Sequence, residues 1–216
     1  IGARQGEPVF FPFGDLSLRS DVTDALIGHV FDLLGSGKVM LDPINWHQDF
    51  KSGRVWPLVF MDEIRFGEGD GSDVKVPWEL SRFYHLIPLG LAYRETGDAK
   101  YFQEFKNEIS DWIEKNPPYW GVNWVNTMEV AIRVCNWSFA FELFKLRITD
   151  EERAFWNVFL ESLEEHGKFI YRNLEYGKVR SNHFLSDIVG LVYLGILFPE
   201  FKESRKWLKR GVESLE

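Results

Sequence analysis

Cysteine is nearly absent from this chain: 216 residues contain one, Cys135. A lone thiol excludes an internal disulfide and any cysteine-built zinc site, and leaves Cys135 as core filler. Positive charge is also in deficit. Lys and Arg number 25 against 33 Asp and Glu, a formal charge of −8. That balance excludes generic nucleic-acid binding, and any anionic ligand needs a local basic site. No apolar run reaches the length of a membrane span, so no membrane association is expected. Histidine is sparse, and His29, His47 and His166 show no metal-ligand spacing with one another. His-Glu-x-x-His, a Gly-rich phosphate loop and a Gly-x-Ser-x-Gly elbow are all missing, so neither metal nor cofactor is expected. The first residue is Ile1 and no signal segment follows it. A signal already removed implies a periplasmic or secreted protein; otherwise the chain is cytoplasmic. Nothing in the sequence sets an oligomeric state.

Aromatic residues, by contrast, are abundant. Nineteen Phe and nine Trp, within a 45% hydrophobic composition, indicate a packed core. Trp is also the usual stacking surface for sugar rings. The length suits one domain or one large piece of a bigger one.

Two regions differ in pattern. Residues 1–75 read as an irregular lead-in with one helix, Asp21 to Leu34, and a long aromatic-rich loop. Residues 76–216 read as helix after helix. Pro77 opens one that keeps its spacing to about Glu95, and another spans Ala99 to Lys115. The next runs from Asn123 to Lys145. Thr149-Asp150-Glu151-Glu152 has the form of a capping box for a helix to Tyr171. Ser181 caps a helix to Leu197, and a last one covers Glu200 to Leu215. Mostly apolar members alternate with amphipathic ones. Stacked inner and outer helices of an incomplete (α/α) toroid, built from antiparallel helical hairpins, produce that alternation; a plain bundle or a solenoid is the alternative.

The 123–137 segment is apolar almost all round. Its polar residues, Asn126, Glu129, Arg133 and Asn136, fall within roughly a quarter of the helix circumference. A helix apolar on most sides is buried on most sides, so this stripe is expected to face a strip of solvent or an internal water-filled cavity. Trp78, Arg82 and His85 share a second stripe at i, i+4 and i+7, offering an aromatic platform, a fixed cation and a titratable ring. Ser181-Asn182-His183 follows Arg180 and opens a helix, where free amide N–H groups and the helix dipole attract an anion. The bland readings stand beside these: local pairing of Glu79 with Arg82, core-edge roles for Trp78 and His85, and ordinary capping by Ser181 and Asn182. Asp62-Glu63 and Glu164-Glu165 are adjacent acids that point in different directions.

Taken in order, these pieces resemble the heparinase II/III-like polysaccharide lyase family. The carriers are Val76-Pro77-Trp78-Glu79-Leu80-Ser81-Arg82-Phe83 with His85, then Gly97-Asp98 and Asn116-Pro117-Pro118. Gly121-Val122-Asn123-Trp124, Met128-Glu129, Arg133 and Asn136-Trp137 come next, and Ser181-Asn182-His183-Phe184-Leu185 with Gly190-Leu191 last. The resemblance implies an incomplete toroid followed by a β-sandwich domain, and β-elimination of a uronic-acid-containing polysaccharide. It implies Asn182 as the carboxylate-neutralising residue and His183 as its active-site neighbour. Trp78, Arg82, His85, Asn126, Glu129, Arg133, Trp124 and Arg180 are the implied or candidate substrate contacts, with Trp46 and Trp120 as further stacking surfaces. The family's catalytic Tyr lies beyond residue 216, and Tyr193 is too close and on the apolar side of its helix. The chain is therefore expected to be an N-terminal fragment without the β-sandwich, inactive alone. Heparan sulfate, alginate and bacterial exopolysaccharide all fit as the acidic substrate; the acidic charge disfavours heavily sulfated heparin. Two other classes remain: a glycoside hydrolase on the same toroid using Glu79 and Glu129, and a non-catalytic carbohydrate-binding domain.

Overall fold

The computed structural model describes residues 20–177 and 181–215. Among these the fold is all-α apart from one small hairpin, and it is part of an (α/α) toroid. Helix α1 covers Ser20–Ile27 and is shorter than its apolar pattern suggests. Gly28 follows, and His29 takes a left-handed φ of 52°, which no helix continues through. The chain then forms β1 (Val30–Phe31), antiparallel to β2 (Val39–Met40). The apolar residues after Ile27 are thus strand and turn residues.

The long loop that follows is packed, not free. Asp49 accepts hydrogen bonds from the Lys51 and Asp73 amides and the Ser52 hydroxyl, which ties its two ends together. Trp46 and Trp56 are buried. The Trp46 indole reaches across to Asp111 at 2.7 Å.

The single helix expected from Pro77 to Glu95 is two: α2 (Lys75–Ser81) and α3 (Leu86–Thr96). Phe83 sits between them with φ 61°. A bulky residue holds that conformation only where packing over-determines it. The Phe83 ring is fully buried among Trp46, Trp112 and Trp137. Pro88 carries the sequence signal for this break. In one continuous helix it would lack the N–H that bonds back to residue 84, whereas in the first turn of α3 that loss costs nothing.

Helix α4 (Ala99–Lys115) follows Gly97 at φ 70° and an Asp98 cap whose side chain accepts from the Lys100 amide. A 3-10 turn at Val122–Trp124 precedes α5 (Thr127–Phe144), which Asn126 caps by accepting from the Glu129 amide. Helix α6 (Arg153–Arg172) starts later than the Thr149 motif suggests, and its N-cap residue Glu152 makes no side-chain cap bond. Helix α7 (Asn182–Leu197) begins after Ser181, whose hydroxyl likewise does not cap. Helix α8 (Ser204–Leu215) completes the described chain.

Helices α3, α5 and α7 run parallel. Gly90 meets Leu143 and Tyr93 meets Phe144, while earlier in α5 Ala131 and Phe139 meet Gly190 and Tyr193 of α7. Helices α4, α6 and α8 are the returning partners. The parallel set is apolar on nearly every side and the returning set is strongly amphipathic, as inner and outer layers must be. Backbone approach is closest at glycines: a Cβ on Gly195 would lie 2.6 Å from Leu208 Cβ.

Candidate active site

Because the inner helices are parallel, their N-terminal ends gather on one side, and each first turn contributes unpaired N–H character there. Asn182, the first residue of α7, is exposed, with its Nδ2 3.8 Å from Met128 Sδ in the first turn of α5. Met128 sulfur is a weak acceptor, so it does not consume the amide's donor capacity. His183 Nδ1 lies 3.1 Å from Glu175 Oε1. A carboxylate only accepts, so Nδ1 carries the proton and Nε2 remains for another partner. Glu175 Oε2 accepts from the Met128 amide at 2.9 Å, and its own amide donates to Asp187 Oδ2 at 2.8 Å. Glu175 therefore joins the starts of α5 and α7 and fixes His183. Asp187 is fully buried, and burial pushes its carboxyl up to about 7.

The second half of the site is built on Arg82. Its Nε and Nη2 donate to the two Glu129 oxygens at 2.6 and 2.8 Å, and Nη1 donates to Glu79 at 2.6 Å. This bidentate fork, with the second carboxylate beside it, holds the guanidinium charge firmly in place. Asn136 Nδ2 donates to the Arg82 carbonyl at 2.7 Å and pins the corner from α5. Tyr84, next along the corner, is exposed and lies close enough to Arg82 to share its field.

Several expected contacts are corrected by burial. The α5 polar stripe faces neither solvent nor a water-filled cavity, because protein groups satisfy it. Arg133 is 1% exposed, lies over the Trp112 and Trp124 rings, and donates to His166 Nε2 at 2.9 Å. His166 accepts there because its Nδ1 proton goes to the Ser162 carbonyl, and burial beside Arg133 holds its pKa well below the usual range. Trp124 and Trp46 are buried, with no ring face open to solvent. Trp78 is buried with its indole on the Val122 carbonyl. The Trp78-Arg82-His85 stripe does not form, since the break after Ser81 turns His85 inward onto Glu108 at 2.5 Å. Trp120 is exposed and packs edge-on against Phe60. Asn126 serves as the α5 cap, and Arg180 lies outside the described residues.

The structure adds Tyr84, Glu175 and Asp187, which sequence spacing did not single out. It also shows a concavity of about 340 Å³ beside the Asn173–Tyr176 segment, lined by Tyr171, Arg172, Leu174, Tyr176 and Arg210. Two guanidinium groups and two phenol rings line it.

The family model described as Heparinase II/III N-terminus matches residues 17–216. The chain belongs to this family. Relatives of this heparinase II/III N-terminal chain include heparin-sulfate lyases from Bacteroides stercoris, 30% identical over 74% of the chain, and from Pedobacter heparinus, 33% identical over 80%. The match covers 24% and 23% of those proteins, so the chain spans about a quarter of their length. Among solved structures it resembles the heparan sulfate lyase HepC from Pedobacter heparinus, with a TM-score of 0.72 and 27% identity, covering 92% of this chain and 29% of that one.

Proposed function

We propose that this chain is the helical part of a lyase that cleaves an acidic, uronic-acid-containing polysaccharide by β-elimination, with a heparan-sulfate-type chain as the substrate to test first. The supporting observation is the exposed Asn182 amide at the start of an inner helix, beside the start of a second and next to a carboxylate-held His183.

The reaction removes the C5 proton of a uronic acid and expels the glycosidic oxygen from C4. While the neighbouring carboxylate is charged, that proton is very weakly acidic. A neutral amide donor and two helix N-termini stabilise the enolate-like charge as it develops, without the reorganisation that water requires. Removing one such donor costs about 10²–10³ in kcat. His183, with Nδ1–H directed to Glu175, presents Nε2 for hydrogen bonding or proton movement. The family's catalytic Tyr is proposed to come from sequence of the kind found in the parts of the relatives that this chain does not cover.

The hydrolase reading fares worse. Its two carboxyls must flank a sugar, roughly 5–9.5 Å apart. Glu79 and Glu129 are instead bound to the same guanidinium, and Glu129 has both oxygens occupied and is 2% exposed.

The test is turnover of uronate polysaccharides by the product of the complete reading frame, following ultraviolet absorbance of the new C4–C5 double bond. The expected result is a signal that Asn182→Ala lowers by about 10²–10³. New reducing ends without that absorbance would establish hydrolysis and overturn the proposal.

A further inference from the structure

A second cluster of polar side chains lies apart from Asn182, where α4 meets the turn after α1 and the corner before α3. Glu104 and Glu108, one turn apart on α4, project toward His29 and His85. His29 Nε2 is 2.8 Å from Glu104 Oε1, and His85 Nε2 is 2.5 Å from Glu108 Oε2. One ligand atom from each of His29, Glu104 and Glu108 can be chosen so that all lie within 4.8 Å of one another. The second Glu108 oxygen, Oε1, is buried and has no hydrogen-bond partner, on a side chain only 1% exposed.

Two buried carboxylates this close repel each other, and the repulsion is relieved by a cation between them or by a proton on one; burial and the Glu108 charge do push the Glu104 carboxyl up. Neither Lys nor Arg is paired with either one among the described residues. An orphaned carboxylate oxygen in a buried site is a costly arrangement that demands a partner.

We propose that His29, Glu104 and Glu108 form a binding site for a divalent transition-metal ion, Zn²⁺ in particular. One imidazole with two carboxylates is a nitrogen–oxygen donor set that suits zinc, whereas Ca²⁺ and Mg²⁺ take oxygen donors. Contraction to metal–ligand distances of about 2.0–2.2 Å requires small side-chain movements from the present positions. One outer partner is in place: His85 holds the other Glu108 oxygen, the arrangement that orients a metal ligand. Asp42 Oδ1 lies 3.8 Å from His29 Nδ1, an ion-pair separation and not a hydrogen bond. The left-handed φ of His29 aims its ring at α4 from the turn. Bound there, the ion ties the N-terminal hairpin to α4 and, through His85, to the corner that carries Arg82. The role is structural and separate from the elimination chemistry.

The experiment is calorimetric titration of ZnCl₂ into tag-free, chelator-treated protein, with thermal unfolding followed in parallel. The expected result is about one ion per chain, and a Tm raised by about 5–10 °C at a hundredfold excess over Kd. Co²⁺ should give visible d–d bands. His29→Asn, which tolerates the left-handed backbone, and Glu104→Gln should each abolish the heat, the Tm rise and the bands. Zinc that leaves Tm unchanged overturns the proposal, as does binding of equal strength in both ligand variants. If Glu104→Gln raises Tm without metal while zinc has no effect, a proton shared by the two carboxyls explains the pair and the site is refuted.

Discussion

Glu129→Gln is the sharpest probe of the corner that carries Arg82. The Glu129 side chain is 2% exposed and takes two hydrogen bonds from a guanidinium that is 20% exposed. Gln keeps the shape but turns an NH₂ toward the arginine fork, so one donor faces another. Breaking a buried pair by removing one partner costs about 3–5 kcal/mol. Arg82 retains Glu79 at 2.6 Å and some access to water, which lowers the expectation to about 2–3 kcal/mol. Arg82→Met should cost more, about 3–5 kcal/mol, because the buried carboxylate loses its cation and nothing replaces it. The double variant should fall short of the sum by about 1–3 kcal/mol, the signature of direct coupling. Urea unfolding at pH 7, followed by far-ultraviolet circular dichroism, measures all four corners of the cycle. A Glu129→Gln cost below about 0.5 kcal/mol, or strict additivity, would refute the claim that this pair anchors the corner.

Other variants test other parts of the fold. Asp187 has a folded pKa of about 7, raised from 3.8 by burial, so the native state binds the extra proton between those values. Stability from this group is complete below about pH 4 and is lost as pH rises toward 7. Asp187→Asn, which can still accept from the Glu175 amide, should therefore stabilise the protein at pH 8 by about 1–3 kcal/mol and change little at pH 4, as denaturant titrations at the two pH values will show. Gly195→Ala places a Cβ 2.6 Å from Leu208 Cβ and 2.9 Å from the Ser204 carbonyl, both on α8 or at its start. It should cost about 1–3 kcal/mol, read as a lower urea midpoint at unchanged m. Glu175→Gln should preserve the fold yet impair turnover in the complete enzyme, because one amide oxygen is left for two donors, the Met128 amide and His183 Nδ1–H, and the charge that holds the ring is gone; the pH profile of kcat is the readout.

The helical layers were legible because period and burial report the same thing. Helix α4 occurs where its spacing predicts, with a strong Asp98 cap and Gly97 behind it. The all-round apolarity of α5 marked it as an inner helix, and it is one. Its polar stripe faces protein partners, not solvent or a water-filled cavity. Spacing shows which residues share a face; it does not show that Arg82 and His166, 47 residues before Glu129 and 33 after Arg133, occupy that face. The helix boundary at residues 82–85 was missed because Phe83 carries no local signal for a left-handed turn, and Pro88 is the one residue that marks it.

Local sequence thus determined most of the helices, the inner or outer character of the long ones and the place of the Asn182-His183 pair at a helix start. These depend on short-range periodicity, capping and backbone chemistry, which a few neighbouring residues specify. The tertiary structure decided which polar groups are partners. Glu175 reaches both α5 and α7, Arg82 closes on Glu129, and His29 and His85 arrive at Glu104 and Glu108 from different segments. Those contacts depend on the parallel packing of the inner helices and the turn at Phe83, and a buried charge acquires its partner only once that packing has formed.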